Sequence, residues 1–510
     1  MDRREFIEKV GVATAGAVAS QFVWNTLDSR AAAPSASTVA DIHRYIAERK
    51  DQHIAKLQEL LRQPSISSEN VGIKECAELL RQYFVALGCK EAELVPTEGH
   101  PGVFAYYDAR APQTLVNYMM YDVQPVNPKD WSSPPFEAKV MDKPPLGKAI
   151  IARGAINTKG PLRAYLNALE SIIAVNGTLP FNMYFLCEGE EELGSPHYPQ
   201  IVNRYKDRIK NAAGVMYASA EQNAEGDVVM FLGNKGIVYL ELECSGKHWR
   251  RGPIEYEIHG SNQAIVDSPV WRLNKALSSM VSEDGNRVLI EGWYDKVAPP
   301  SIEDLGLIDE LEKRFDENVW KKAYKVEKWV GDVHGRELIM RYLYTTTLNI
   351  DGIWAGYTVP GGVKTILPHI ATAKLDSRLI PNIESKDVIP LIRKHLDKHG
   401  YTDIQIKKIS AYEWSKTSPK EPITQAIVEV YKKKGINPMV WPHAGGSAPF
   451  YVFQRDGLNL PIARFGLGHG ARAHSIDEYY IVEGNGKIAG LVEAEQSYVD
   501  VLFALAEKLK

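Results

Sequence analysis

The chain predicts an α/β protein: a larger domain with a mixed β-sheet flanked by helices, interrupted by a smaller inserted α+β domain. Three observations carry this. Short apolar runs alternate with helical patterns through the first 236 residues. Beyond residue 236 the pattern changes to partly alternating strands with two helices, and from 414 onward helices flanking short strands return. The bounds read from these shifts are 36–236 and 414–510 for the two parts of the larger domain and 237–413 for the inserted one. An insertion of this kind keeps its own two ends close together.

The elements follow in order. Residues 41–63 place Ile42, Ile46, Ile54, Leu57, Leu60 and Leu61 at helical spacing, and Pro64 ends the helix. A second helix covers 72–88. TLVNYMMYDV at 114–123 reads as a buried strand, 161–175 as a helix, and 181–189 and 213–219 as two further strands. In the inserted domain, 236–246 reads as a strand. Residues 268–281 read as a helix capped by Ser268 with Pro269 in its first turn. Short strands lie within 364–380, a helix covers 388–399, and a strand covers 403–409. Helices are expected in 422–435 and 485–508, whereas 283–345, rich in charge and aromatics, shows no readable period.

Composition narrows the function. With 510 residues, 45% hydrophobic and 24% charged, the chain has the makeup of a folded protein with a large core. Sixty Lys and Arg against 64 Asp and Glu argue against a surface basic throughout, and no nucleic acid partner is expected. Cys76, Cys89, Cys187 and Cys244 form no CxxC pair, which excludes a disulfide framework and a cysteine zinc site. Arg3 and Arg4 precede an Ala/Gly-rich run and Ala31–Ala33, the pattern of a twin-arginine export signal over 1–35, with the periplasm or the exterior as destination. That run is too short and too weakly apolar for a membrane span, and no later segment reads as one.

The chemistry collects in five places. CEGEEELGSP at 187–196 sets Glu188, Glu190, Glu191 and Glu192 at a strand end, where α/β enzymes place function. ARGAINTKG at 152–160 and YDVQP at 121–125 also follow strands. WPHAGGSAPF at 441–450 supplies His443 beside a glycine pair, and GHGARAHSIDEY at 468–479 supplies His469 and His474. Each alone has a bland reading: a solvated acidic loop, a capped histidine, or, for Tyr121, packing. Histidine, carboxylate and Gly-rich turns converging from distant segments instead suggest a metallo-amidohydrolase core.

On those stretches the chain resembles the M20 metallopeptidase family, which includes dipeptidases, carnosinases, acetylornithine deacetylase and succinyl-diaminopimelate desuccinylase. IHGSNQAIVDSP at 258–269, TLNIDGIWAGY at 347–357 and KTILPHIATAKLDSRLIP at 364–381 extend the resemblance over roughly 40–510. It implies a zinc-peptidase-like catalytic domain with two zinc ions and a homodimer formed through the lid. Carried over residue by residue, Glu192 and His474 match metal ligands and Glu191 matches the general base. Asp122 matches the carboxylate that orients a ligand histidine two residues earlier. His259 matches a lid histidine that steadies the oxyanion. Asn349, Arg378, Gly445, Gly446 and Ser447 match substrate-binding stretches, with Arg378 suited to clamp a substrate carboxylate. His443, Tyr121 and Met120 complete the expected pocket.

The pattern breaks at three ligands. Met120 stands where the ligand histidine is expected, Asn157 where the bridging aspartate is expected, and Ala218 where an acid is expected, with Glu221 near enough to compensate. Two dications roughly 3.5 Å apart repel by about 20 kcal/mol at an effective dielectric of 20. A neutral amide and a thioether do not offset that. The expectation is therefore one divalent metal at most, zinc or manganese, on Glu192, His474 and Asn157, or none. Hydrolysis of a peptide-like or lactam amide in a small carboxylated substrate is the leading reading. A metal-independent isomerase or lyase using a carboxylate base, and a non-catalytic small-molecule binder, are the alternatives. Restoring the family pattern would need Met120→His, Asn157→Asp and Ala218→Asp or Glu together.

Overall fold

The run TLVNYMM forms strand β3 (Thr114–Met120), buried along nearly its whole length because strands flank both edges and helices cover both faces. In this computed structural model residues 36–510 are described; the export signal read over 1–35 lies outside them. Around β3, the strands β1 (Glu91–Val95), β2 (Gly102–Tyr107), β4 (Asn182–Glu188), β5 (Val215–Ala218) and β10 (Ile462–Phe465) complete a six-stranded sheet in the order β1-β2-β4-β3-β5-β10. The sheet is mixed. β4, β3, β5 and β10 run parallel, whereas β1, β2 and β4 pair antiparallel. The four parallel strands end at Glu188, Met120, Ala218 and Phe465, so one edge of the sheet gathers the loops that follow them.

The 41–63 stretch forms two helices, Ala36–Glu48 and Lys50–Arg62, and not one; the chain leaves helical geometry at Arg49 (φ −109°, ψ 13°). Between Ile46 and Ile54 only Ala47 is apolar, so no packing holds the chain straight there. Both halves still reach one core, through Ile42 and Ile46 and through Leu57, Leu60 and Leu61. Lys159–Asn176, Pro422–Lys433 and Leu491–Lys508 share that face of the sheet. Tyr198–Ile209 and the Pro449–Phe453 turn cover the other. The expected strand 114–123 stops at Met120, because Asp122 turns away to bond the acidic loop.

A second sheet is antiparallel throughout. β6 (Gly236–Ser245), β7 (Asn349–Ala355), β8 (Ile370–Leu379) and β9 (Gln405–Tyr412) lie in the order β7-β8-β6-β9. Burial alternates along β6, because helices Pro269–Ser279 and Ser385–Lys398 cover only one face. The segment that shows no period folds into helices Ile302–Glu312, Glu317–Tyr324 and Gly335–Tyr344. Their apolar residues close on Trp441, which stacks on Trp320 with ring centroids 5.5 Å apart. This packing supports the neighbouring glycine loop: the Gly445 amide donates to the Tyr342 hydroxyl at 3.1 Å. Among the described residues no helix is long and apolar enough to cross a membrane.

Candidate active site

The acidic loop is held from beneath by Asp122. Its carboxylate is wholly buried and accepts the Ser67 hydroxyl at 2.8 Å and the backbone amides of Glu191 and Glu192 at 3.1 and 3.0 Å. Burial pushes the Asp122 carboxyl up to about 7, against the pull of those three donors. With a methionine at 120, the histidine that a carboxylate here would orient is missing. Asp122 instead positions the short helical turn Glu191–Leu193.

Glu191 faces a cavity of about 370 Å3, the size of a small-molecule site. Its carboxylate makes no hydrogen bond with another described residue. Burial, then the charges of Glu192 and Asp122, push it up to about 8, while His474 and Arg464 oppose the shift. Met120, Asn157, Gly446 and Ser447 line the same cavity, together with Tyr118, Tyr217, Phe450 and Arg464.

Glu192 points into a closed network. It accepts the Gln124 amide at 2.7 Å and the Asn157 amide at 2.8 Å, and it pairs with His474 Nε2 at 3.1 Å. The Asn157 Nδ2 lies 3.0 Å from that same His474 nitrogen. The bond to Glu192 raises the His474 pKa, favouring imidazolium. Asn157 itself sits in a loop fixed by Glu478, which accepts the amides of Gly154, Ile156 and Asn157 and pairs with Arg153 at 2.6 Å.

The donor set does not fit a pair of divalent cations. Met120 offers a buried thioether, Ala218 offers nothing, and an Asn157 N–H donor stands between the two remaining ligands. Glu221 does not compensate for Ala218: it is buried and accepts the Ser219 hydroxyl and two guanidinium N–H groups of Arg464, at 3.1 and 3.0 Å. Among the described residues no group of three or more His, Cys, Asp or Glu is arranged to hold a metal ion.

Other expected residues lie elsewhere. Tyr121 is fully buried against Gly189 and donates to the Pro101 carbonyl, so it is packing and not pocket. His443 is also buried away from the cavity, with Nδ1 3.1 Å from the Ala444 carbonyl and Nε2 unpartnered. Gly445 lies under the Tyr342 phenol, where a Cβ would collide. Arg378 reaches the cavity rim, donating to Ser447 Oγ at 3.0 Å and to Asp376 at 3.0 Å. Asn349 bonds Asp376 at 3.0 Å, steadying that arm. His259 is exposed, bonded to Ser261 and Thr365, and does not line the cavity. His469 is tied to the Gln222 carbonyl and Tyr479, a structural role.

Sequence reasoning missed Arg464, Tyr118 and Tyr217 in the cavity wall, and Glu478 beneath it. One signal was present: a lone arginine inside the apolar strand Ile462–Phe465.

The fold and the site define a hydrolase of the metallopeptidase type with an altered centre. Residues 120–498 match the family model described as peptidase family M20/M25/M40, and the chain belongs to that family. It is an enzyme of this hydrolase class and a divergent member: among the described residues the family's metal-binding cluster is not found. An M20 family metallo-carboxypeptidase from Sulfolobus solfataricus superposes with a TM-score of 0.79 at 32% identity, covering 89% of this chain and 99% of that one. The Cys-Gly metallodipeptidase of Schizosaccharomyces pombe is 26% identical over 86% of this chain and 93% of its own length. The human β-Ala-His dipeptidase is 29% identical over 56% of this chain, and the match spans only 53% of that protein.

The buried His443 has a consequence for stability. Burial holds its pKa down at about 4, against 6.5 for the free side chain. The unfolded chain therefore takes up a proton below pH 6.5 that the folded chain refuses until about pH 4. Stability from this residue is full above pH 6.5 and lost as pH falls toward 4, by about 3 kcal/mol. His443→Leu should flatten the difference in urea-unfolding free energy between pH 7 and pH 4 by that amount. Parallel wild-type and variant curves would count against a neutral buried imidazole.

Proposed function

We propose that the protein hydrolyses an amide bond, peptide-like or lactam, in a small substrate bearing a carboxylate. The observation that carries this reading is Glu191, a half-buried carboxylate with no hydrogen-bond partner among the described residues, facing a small-molecule cavity whose rim carries Arg378. In this reading Glu191 takes a proton from water as the water oxygen adds to the carbonyl carbon, then delivers it to the departing nitrogen. A carboxyl with a raised pKa is a stronger base, once ionised, than an ordinary glutamate. Arg378, braced by Asp376, holds the substrate carboxylate. The relatives named as dipeptidases and a carboxypeptidase support an amide next to a carboxylate.

The donor set favours a second reading on one point. With the Asn157 amide wedged between Glu192 and His474, the same base can serve a metal-independent isomerase or lyase. Export through the twin-arginine pair, and a homodimer through the lid bringing the exposed His259 to a partner's cavity, complete the proposal.

The test is a panel of dipeptides and N-acyl amino acids, each beside its C-terminal amide, assayed for released amine with and without chelator. Amine release from the acids and not from the C-terminal amides is expected. Equal rates on both would remove the carboxylate clamp. Amine-free conversion that survives chelation would favour the second reading.

A further inference from the structure

We propose that Arg464 is a catalytic residue standing in for the lost cation, gripping the substrate's carbonyl oxygen as it becomes an oxyanion. The assignment rests on the amide-hydrolase reading above.

Position is the first argument. β10 pairs with β5 in parallel register, setting Arg464 opposite Tyr217 and Phe465 opposite Ala218. Arg464 thus shares the face of Tyr217 and Ser219, which also line the cavity, whereas Ala218 and Phe465 turn to the core on the opposite face. It shares the cavity wall with Glu191, Met120 and Asn157. Among those neighbours it supplies the positive charge that a hydrolytic transition state needs once Met120 and Ala218 have replaced ligands.

Its geometry is that of a fixed donor. Glu221 Oε1 takes both Nε and Nη2 of Arg464, at 3.1 and 3.0 Å, and Glu221 is itself buried and bonded by Ser219. The guanidinium also lies over the Tyr217 ring, 5.6 Å from its centroid. Its remaining edge, Nη1, makes no hydrogen bond with another described residue, and 34% of the side chain is exposed. A preorganised N–H donor on one side of the reacting carbonyl, with a base on the other, is the arrangement that addition to a carbonyl requires.

The step balances without a metal or a redox partner. A water O–H bond breaks, its proton goes to Glu191, and the water oxygen bonds the carbonyl carbon. The C=O π pair moves onto oxygen, which Arg464 holds. On collapse that pair re-forms C=O, the C–N bond breaks, and the nitrogen takes the proton from Glu191. Arg378 keeps the substrate carboxylate, so the two arginines serve different oxygens.

Two probes test this, both titrated by calorimetry in EDTA. N-acetylglycine carries the planar amide and the carboxylate. 3-[Hydroxy(methyl)phosphoryl]propanoate carries the same carboxylate with a tetrahedral anion in place of the amide carbonyl. The variant is Arg464→Met with Glu221→Gln, which removes both charges together so that no buried carboxylate is stranded. The expected result is at least a 100-fold loss of affinity for the phosphinate and less than five-fold for N-acetylglycine, with circular dichroism unchanged. Equal losses on both probes, or none on either while the wild type binds both, would overturn the role of Arg464 and leave the amide reading standing. A wild type that binds neither probe would overturn the amide reading and this assignment with it.

Discussion

Glu191→Gln should leave a folded protein whose kcat on any substrate found by the amide panel has fallen at least a hundred-fold, with KM changed little. Glutamine keeps the shape and one acceptor oxygen but cannot take a proton, and general-base removal typically costs 10²–10⁴ in rate. In transition-state terms the lower bound is about 2.7 kcal/mol. The same variant should melt higher than the wild type. Glu191 is a half-buried carboxylate without a hydrogen bond to another described residue, close to the charges of Glu192 and Asp122. A neutral amide of the same shape relieves that crowding, as expected where a site holds a destabilised group for its chemistry. Steady-state kinetics and a thermal melt on one preparation decide it. Unchanged kcat would remove Glu191 as the base; lower kcat with a lower melting temperature would point to a structural role instead.

The order of layers was legible because it depends on periodicity. The runs at Thr114–Met120 and Asn182–Glu188 are apolar enough to read as buried strands, and buried strands they are. The helices between Ile302 and Tyr344 were not legible, because their apolar residues pack on Trp441, about a hundred residues away in the chain, and not on a neighbouring strand. Within the site, residues recognisable by type and motif, such as Glu191 and Asn157, do line the cavity. The misplacements share one cause. Tyr121 and His443 sit beside functional residues in the chain, but a strand sends adjacent side chains to opposite faces, and a loop buries one residue while exposing the next. Arg464 escaped for the converse reason. It reaches the cavity from a strand 273 positions beyond Glu191, and only the β5–β10 register brings the two together.

Zinc binding offers the sharpest change by substitution, and the structure revises which substitution is needed. From sequence, three replacements are required together. The geometry gives most of the weight to Asn157 alone: its N–H donor lies 2.8 Å from Glu192 and 3.0 Å from His474. Asn157→Asp turns that donor into a third ligand, and two carboxylates with one imidazole plus water make an adequate zinc site. The single variant should bind about one zinc equivalent by calorimetry, where the wild type binds none tightly. Adding Met120→His and Ala218→Asp should not yield a second equivalent, because Ala218 packs in the core beside Phe465 and does not line the cavity, and Arg464 remains in the wall. A dication about 4 Å from a guanidinium meets a repulsion of order 8 kcal/mol at an effective dielectric of 20, and Glu221 holds that guanidinium in place. Two equivalents bound with Arg464 intact would mean that the guanidinium swings away and does not occupy the cation's position. No zinc in Asn157→Asp would mean that His474, exposed on its loop, is held too loosely to serve as a ligand.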